Sequence, residues 1–286
     1  MNWQTLIDIH DLAAHLDDAD LCILDCRADL ADPTAAARDY ADGHLPGAHH
    51  ADLERDLSAL DKAGQGRHPW PDAASFARRL AAWGIGPRTQ VVLYDAGNGM
   101  YAARGWCLLR LFGHQHAAVL DGGLAAWREA GLPVTQLAAI AVAEAAPYPG
   151  DFDHARLFDH DDVIAHLAHG GLLVDARAPE RFRGEVEPID PRAGHVPGAI
   201  NRPFAANLDA AGRFKPRDVL FAEFAELLGG RTPSDMVAMC GSGVTACHHL
   251  LAMAHAGLEG GKLYMGSWSG WISDPARPTA LGEVAR

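Results

Sequence analysis

Cys240 is the residue whose setting most clearly predicts chemistry. It ends the apolar run VAMC and precedes a short glycine-rich loop, after which a helix is predicted to begin at Thr245 or Ala246. The loop consists of Gly241, Ser242, Gly243, Val244 and Thr245. Two glycines in so few residues allow the backbone to turn several N–H groups inward. Those amides and the positive end of the helix would stabilise a thiolate or persulfide anion on Cys240.

The alternative is that Cys240 is a buried cysteine at a strand end and that the glycines serve only a tight turn. We favour a reactive Cys240 because strand, cysteine, glycine-rich loop and helix occur together. Cys247, seven positions further on, is predicted to lie inside the helix. A packing role is expected there.

Composition excludes several classes of protein. The 286 residues are 49% hydrophobic and carry a net charge of -13, which repels nucleic acids and anionic membrane surfaces. Neither a span of about 20 apolar residues nor an export signal is recognisable, so a cytoplasmic location is expected.

The five cysteines have unrelated spacings, which favours reduced thiols. We expect neither a metal ion nor another cofactor, because Cys22 and Cys26 have no second Cys or His pair at zinc spacing.

The elements that position Cys240 belong to a unit that the chain contains twice. In each half an apolar run ends in Asp-x-Arg, and a Gly-His-x-Pro-Gly-Ala turn follows. A second apolar run then leads into a helix-like stretch, and a Trp-bearing segment closes the unit. The paired landmarks are Asp25 and Asp175, Arg27 and Arg177, Gly43–Ala48 and Gly194–Ala199, and Trp127 and Trp271.

Apolar runs of four to six residues alternate with helical patterns, which is typical of a parallel sheet flanked by helices. The predicted fold class is therefore α/β, with two tandem domains. We expect a first domain over residues 1–140, a linker over 141–153 with the boundary near residue 145, and a second domain over 154–286. Asp72 or Ser75 is predicted to cap the start of one helix, and Asp161 or Asp162 the start of another.

The stretch CGSGVTAC, the two Gly-His-x-Pro-Gly-Ala turns and the duplication resemble the rhodanese superfamily, and most closely its 3-mercaptopyruvate sulfurtransferases. The resemblance spans nearly the whole chain and implies two rhodanese-like domains. It also implies that the first domain is catalytically inactive, since Asp95 stands where that domain would need its cysteine. The thiosulfate-using branch typically has basic residues at the two positions after the cysteine. This chain has Gly241 and Ser242 there, which favours mercaptopyruvate as the donor.

The resemblance also implies which residues bind the donor. Arg181 matches the family arginine that binds the donor carboxylate. The family's second arginine falls at Asp190 here, and Arg192 is the nearby candidate to replace it. For Arg177 a structural ion pair is the simpler expectation, because its Asp-x-Arg context recurs in the half without a nucleophile.

The resemblance to the mercaptopyruvate branch also implies a serine, a histidine and an acid that act together. Ser242 matches the serine, His68 corresponds to the histidine, and Glu54 to the acid, with Asp52 as an alternative. A neighbouring carboxylate would orient the imidazole and keep it basic. Histidines 44 and 195 recur in both halves and are expected to hold their turns in place.

These features predict a sulfurtransferase that moves sulfur from 3-mercaptopyruvate through a Cys240 persulfide. Thioredoxin, a small thiol or cyanide is the acceptor that the resemblance implies. A thiosulfate:cyanide sulfurtransferase with the same nucleophile is the alternative. A non-catalytic sulfur carrier is more remote, since cysteine, glycines, serine and Arg181 are all present. A phosphatase of the rhodanese-like kind would need a longer loop that is closed by an arginine. This reading is disfavoured, because the next arginine after Cys240 is Arg277.

Overall fold

The computed structural model describes residues 1–139 and 147–283 and divides into two compact units. The first unit comprises Met1–Ala59, Trp70–Asp153 and Ala210–Phe214, and the second comprises Leu60–Pro69, His154–Asp209 and Lys215–Arg286. Each unit thus takes one short segment from the other half of the sequence. The predicted boundary near residue 145, and residues 141–146 of the predicted linker, lie outside the described residues. The domain bounds stay a prediction.

The first unit contains a five-stranded parallel sheet in the order β1-β5-β4-β2-β3. Its strands are β1 Leu6–Ile7, β2 Leu21–Asp25, β3 His49–His50, β4 Gln90–Tyr94 and β5 Ala117–Leu120. Its helices are α1 Ile9–Ala13, α2 Ala35–Asp42, α3 Ala73–Ala82, α4 Ala102–Leu111 and α5 Gly123–Glu129. All five residues of β4 are buried, as expected for a central strand that is covered on both faces.

The second unit has the same architecture, with strand order β6-β10-β9-β7-β8 and parallel pairing throughout. Its strands are β6 Leu157–Phe158, β7 Leu172–Asp175, β8 Ile200–Asn201, β9 Met236–Met239 and β10 Lys262–Tyr264. Its helices are α6 His160–Ala168, α7 Pro179–Phe182, α8 Arg217–Leu228, α9 Ala246–His255 and α10 Ser267–Trp271. The predicted α/β class, with two parallel sheets flanked by helices, is confirmed. No described helix has the length and apolar character that crossing a membrane requires.

The Asp-x-Arg motifs form equivalent buried ion pairs in the two units. Arg27 donates to Asp25 with an Nη2–Oδ2 distance of 2.5 Å, and Arg177 donates to Asp175 at 2.7 Å. Each arginine also donates to the carbonyl of the glycine that opens the following turn, at 3.0 Å and 2.7 Å. The motif therefore ties the end of a strand to the turn in both units, which confirms the structural ion pair expected for Arg177.

The histidines of the repeated turns fasten each turn to a distant segment. His44 forms an isolated antiparallel bridge with Thr135, and His195 forms one with Ala280. Nδ1 of each imidazole lies 2.7 to 2.8 Å from a backbone carbonyl oxygen. This agrees with the role expected from their recurrence.

Helix starts were predicted correctly in one case and wrongly in another. Asp72 caps α3 and accepts the N–H of Ser75 at 2.9 Å. Helix α6 begins two or three residues earlier than predicted, because its cap is Asp159, whose side chain accepts the N–H groups of Asp161 and Asp162. Those two aspartates lie in the first turn instead, where their charges favour the helix dipole.

Candidate active site

Cys240 lies at the carboxyl end of β9, between the neighbouring strands β7 and β10. Ligands of open α/β sheets usually bind at this edge. The side chain is 2% exposed. Helix α9 begins at Ala246, with Thr245 as the residue that precedes its first turn, as predicted. We call residues 240–245 the Cys240 loop.

Helix α10 holds the start of the Cys240 loop. The carbonyl of Cys240 accepts the N–H of Trp268, and the carbonyl of Gly241 accepts the N–H of Ser269, both at 2.9 Å. Gly243 has φ +78°, a backbone conformation that favours glycine. The path of the loop therefore requires glycine at position 243, whatever chemistry the loop performs.

The other loop residues and Cys247 are largely packed inside the unit. Val244 is 4% exposed, and Thr245 is half-buried. Cys247 lies in α9, is fully buried, and donates its S–H to the Gly243 carbonyl with an S–O distance of 3.3 Å. These contacts agree with the packing role expected for Cys247.

Ser267 supports Cys240 in a way that the sequence did not indicate. It has φ +50°, and it is the single non-glycine residue with positive φ in the described parts of the chain. Its Oγ accepts the N–H of Cys240 at 3.1 Å and donates to the carbonyl of Tyr264 at 3.1 Å. Strained backbone of this kind concentrates at functional sites, where it is held by surrounding contacts. Its position just after β10 was the only sequence signal.

The segment Leu60–Pro69 belongs to the same compact unit as Cys240, although it comes from the first half of the sequence. The N–H of Arg67 donates to Ser269 Oγ at 3.1 Å, and Ser273 Oγ donates to the carbonyl of Gly64 at 3.0 Å. Gly66 has φ +95°, and a β-carbon there would lie 2.7 Å from the carbonyl oxygen of Gly266. Glycine is therefore needed for the segment to approach α10 so closely.

This placement brings His68 next to Ser242. His68 Nδ1 lies 2.8 Å from Ser242 Oγ, and both residues are 4% exposed. The tautomer of the imidazole decides which of the two atoms donates. Two of the residues predicted from the sequence are thus hydrogen-bonded to each other, and one of them, Ser242, lies in the loop that follows the predicted nucleophile.

Glu54 and Asp52, the predicted acids, belong to the first unit. Asp52 Oδ1 accepts the N–H groups of Glu54 and Arg55 at 3.0 and 2.8 Å, so this carboxylate caps its own turn. Glu54 is half-buried in that turn. Its part in a serine–histidine–acid arrangement stays a prediction.

Arg181 lies in α7 and is held by two carboxylates. It donates to Glu187 Oε1 at 2.6 Å and to Asp190 Oδ2 at 3.2 Å, both from Nη2. Burial acts to raise the pKa of Glu187, but the hydrogen bonds from Arg181 and from two backbone N–H groups outweigh it, so the pKa is lowered. Burial raises the pKa of Asp190, although the neighbouring arginines oppose that change.

Arg67 is a second guanidinium at this place, and the sequence analysis missed it. Its Nη1 donates to Asp190 Oδ1. A β-carbon built on Gly241 would lie 3.0 Å from Arg67 Nη2 and 3.8 Å from Arg181 Nη1. Both guanidinium groups therefore border the residue that directly follows Cys240. No pattern in GQGRHPWP marks this role, because it depends on where the segment folds.

Arg192, the predicted second cation, has other contacts. Its Nη1 donates to the carbonyl of Arg277 at 3.3 Å, and its own carbonyl accepts the indole N–H of Trp268 at 2.8 Å. Asp190, which stands where the resemblance places the second arginine, is an acceptor for two guanidiniums instead. A donor-binding role for Arg192 stays a prediction.

Two other thiols show how burial alone affects a cysteine. Cys22 lies in β2, and burial raises its pKa to about 12. Cys26 follows the same strand, and burial, reinforced by the charge of Asp25, raises its pKa well above the usual value. Both side chains stay protonated at neutral pH, so neither is a nucleophile there.

Comparison with known proteins identifies the family. Residues 8–130 and 159–274 match the rhodanese-like domain family. A Pseudomonas aeruginosa protein, provisionally named a 3-mercaptopyruvate sulfurtransferase, is 51% identical over 290 residues, which cover 99% of this chain and 100% of that protein. A Mycobacterium tuberculosis protein, provisionally named a thiosulfate sulfurtransferase, is 40% identical over 98% of each chain.

The fold gives the same result. The structure of 3-mercaptopyruvate sulfurtransferase from Leishmania major superposes with a TM-score of 0.82 at 29% sequence identity, covering 95% of this chain and 76% of that one. Two matched domains and full-length identity of this order place the chain in the rhodanese family, as a sulfurtransferase with two tandem rhodanese-like domains.

Proposed function

We propose that this protein transfers sulfur from 3-mercaptopyruvate to a thiol acceptor, with Cys240 as the nucleophile and sulfur carrier. The observation that carries the proposal is the hydrogen bond between His68 and Ser242, because Ser242 lies in the loop directly after Cys240. A proton donor at this place suits a donor whose leaving group is a strong base.

In the first half-reaction the Cys240 thiolate attacks the sulfur of 3-mercaptopyruvate. A sulfur–sulfur bond forms, the carbon–sulfur bond breaks, and the enolate of pyruvate leaves with the bonding electron pair. Ser242, backed by His68, delivers the proton that converts the enolate into pyruvate, and the proton of the donor thiol replaces it. Cys240 then holds the persulfide.

The choice of donor follows from that proton. Thiosulfate releases sulfite, which is a stable anion and needs no proton in order to leave, so the Ser242–His68 pair would be idle with that donor. The names of the Pseudomonas aeruginosa and Leishmania major relatives also favour mercaptopyruvate. The name of the Mycobacterium tuberculosis relative keeps thiosulfate as the second candidate.

The remaining site residues have supporting roles in this proposal. Backbone N–H groups of Gly241, Gly243, Val244 and Thr245 stabilise the persulfide anion, and the positive end of α9 adds to that stabilisation. Arg181 binds the donor carboxylate through hydrogen bonds that the charges strengthen.

In the second half-reaction a thiolate acceptor attacks the outer sulfur of the persulfide, and Cys240 leaves as the thiolate. Thioredoxin or a small thiol is the expected acceptor, and cyanide is a suitable laboratory substitute. Such thiols are kept reduced in the cytoplasm, which is the location that the sequence predicts.

Steady-state sulfur transfer with 3-mercaptopyruvate and with thiosulfate tests the proposal. We expect Cys240→Ser to lower kcat/KM at least about 1000-fold, as is usual on removing a nucleophile. Cys247→Ser is the matched control and should retain activity, since a hydroxyl still donates to the Gly243 carbonyl. Intact-mass measurement after incubation with donor alone should show one added sulfur atom on the wild type and none on Cys240→Ser.

The outcomes separate the two parts of the proposal. Activity that survives Cys240→Ser contradicts the nucleophile. Higher kcat/KM with thiosulfate than with 3-mercaptopyruvate leaves the nucleophile intact and overturns the donor.

A further inference from the structure

Two guanidinium groups meet at the backbone of Gly241, next to the reactive sulfur. A β-carbon on Gly241 would approach Arg67 Nη2 to 3.0 Å and the two terminal nitrogens of Arg181 to 3.8 and 3.9 Å. The missing side chain of Gly241 therefore leaves the space into which both arginines project. The first of them comes from the segment Leu60–Pro69 and the second from α7.

Each arginine keeps donor capacity on the side that faces Gly241. Arg67 uses Nη1 for Asp190, and Arg181 uses Nε and Nη2 for Glu187 and Asp190. Arg67 Nη2 and Arg181 Nη1 have no hydrogen-bond acceptor within residues 1–139 and 147–283. Two charged donors thus point at the same place without a protein partner.

Asp190 fixes the pair in this position. Its side chain is 2% exposed, and its two oxygens each accept one guanidinium, Oδ1 from Arg67 and Oδ2 from Arg181. A carboxylate that bridges two arginines holds their planes at a constant separation, so their remaining donors are preorganised. The side chains of Arg67 and Arg181 are 29% and 16% exposed, which leaves both accessible to a small solute.

We propose that Arg67 is a donor-binding residue: together with Arg181 it binds the carboxylate of a 2-oxo acid thiol beside Cys240, while Asp190 positions both arginines. The identity of the donor rests on the function proposed above. The anion site itself does not, since it follows from the contacts of the three side chains.

The charge of the cluster indicates which anion fits. The positive charges of Arg67 and Arg181 are balanced by Glu187 and Asp190, so the cluster has no excess positive charge. It offers hydrogen-bond donors in fixed places rather than a strong field. A carboxylate with a single charge needs two such donors. A dianion such as thiosulfate would bring two negative charges to a cluster without excess positive charge, so it is disfavoured more strongly than a carboxylate with one charge.

Kinetics of Arg67→Gln, Arg67→Lys and Arg231→Gln with 3-mercaptopyruvate test this role. Arg231 is an exposed arginine whose Nη1 donates to the Leu228 carbonyl, and it serves as the control. We expect Arg67→Gln to raise KM about 10- to 100-fold with a smaller change in kcat, since one charge-assisted hydrogen bond is lost. Arg67→Lys should recover part of the loss, and Arg231→Gln should match the wild type.

A second measurement works without any sulfur transfer. Cys240 is alkylated with iodoacetate, which is anionic, and with iodoacetamide, which is neutral and of similar size, and the modified peptide is quantified by mass spectrometry. The wild-type ratio of the two rates should fall several-fold in Arg67→Gln and stay unchanged in Arg231→Gln. Thermal unfolding of each variant checks that the fold is retained, and Arg67→Lys replaces Arg67→Gln if the latter does not fold.

An unchanged KM together with an unchanged alkylation ratio overturns the inference while leaving the proposed function in place. The opposite result is a wild type that transfers no sulfur but reacts preferentially with iodoacetate, together with an Arg67→Gln variant that lacks this preference. In that case the anion site stands and the proposed function fails.

Discussion

The loops that follow the central strands of the two units have the same backbone setting but surround different side chains. In the first unit Asp95 follows β4, and its carbonyl accepts the N–H of Leu124 at 2.9 Å. In the second unit Cys240 follows β9, and its carbonyl accepts the N–H of Trp268 at the same distance. A helix starts after each loop. The two positions therefore correspond in the fold, as the duplication in the sequence predicts.

The difference lies in the side chain that each loop surrounds. The Asp95 loop, residues 95–101, wraps around its own carboxylate: Oδ1 accepts the N–H groups of Gly97 and Gly99 at 3.0 Å. Oδ2 accepts those of Tyr101 and Ala102 at 2.9 and 3.2 Å. Four inward N–H groups thus hold one internal carboxylate.

This arrangement shows what such a loop does when the anion belongs to the protein. A strand followed by a glycine-containing loop and a helix gathers N–H groups around one point, and an anion at that point is stabilised. The first unit satisfies these four donors with the Asp95 carboxylate, so they are not available to a substrate. In the proposed function the second unit places a cysteine at the same point, and its anion is formed and consumed in each cycle.

The largest effect that this comparison predicts concerns Asp95. We expect Asp95→Asn to lower the free energy of unfolding of the first unit by about 3 kcal/mol, because an amide replaces a charged acceptor and its NH₂ group faces N–H donors. Urea unfolding, followed by fluorescence of the seven tryptophans, measures the change.

Asp32→Asn is the control for that measurement. Asp32 is 45% exposed and pairs with Arg38 on the surface, so its loss should change the unfolding curve far less than Asp95→Asn does. Equal effects of the two substitutions would show that the four hydrogen bonds to Asp95 stabilise the fold no more than an exposed ion pair does. That result would contradict the comparison of the two loops.

The sequence predicted most of this frame but only part of the site. Duplicated landmarks identified two parallel sheets, and the order strand, Cys240, glycines, helix was correct because each of these features is local. The pairing of His68 with Ser242 was expected from the resemblance alone. Arg67 was missed because its role depends on the segment Leu60–Pro69 packing with the second unit, and no local pattern encodes that choice.

Asp190 is a second residue whose role the sequence could not predict. The sequence indicated that a cation was absent at this position, and the search for its replacement was confined to the neighbouring Arg192. The structure shows Asp190 as the acceptor for a guanidinium that comes from 123 positions earlier in the chain. Tertiary contacts over such distances are decided by the packing of whole elements, which periodicity and spacing do not report.

The helices that follow the two loops differ in how they respond to pH. Helix α4 buries Arg104, a permanent cation that donates to the carbonyl of Leu57 at 3.1 Å. Helix α9 buries His249, whose Nε2 donates to the carbonyl of Arg202 and whose Nδ1 accepts from Asn207. Burial, together with the charge of Arg202, lowers the pKa of His249 to about 3.

Stability should therefore depend on this histidine in mildly acidic solution. The unfolded chain takes up a proton at His249 below its ordinary pKa of about 6.5, while the folded protein does so only near the lowered value. The stabilisation is complete above pH 6.5 and is lost as the pH falls toward 3. Between pH 7.5 and pH 5 we expect the loss from this one group to be about 2 kcal/mol.

Unfolding in urea at a series of pH values, on the wild type and on His249→Gln, measures that contribution as the difference between the two slopes. The exposed His169 provides the matched variant, His169→Gln, which should follow the wild type. Parallel curves for the wild type and His249→Gln would contradict the prediction.

The smallest expected effect distinguishes the residues that open the last helix of each unit. Gly123 has φ +53° at the start of α5, where glycine adopts this conformation at little cost. Ser267 has φ +50° at the start of α10, and its Oγ accepts the N–H of Cys240.

Ser267→Gly removes the hydrogen bond and relieves the backbone, whereas Ser267→Ala removes the hydrogen bond and keeps the strain. We expect Ser267→Ala to be less stable than Ser267→Gly by about 1 kcal/mol in urea unfolding. The reverse order would mean that the backbone at Ser267 is unstrained.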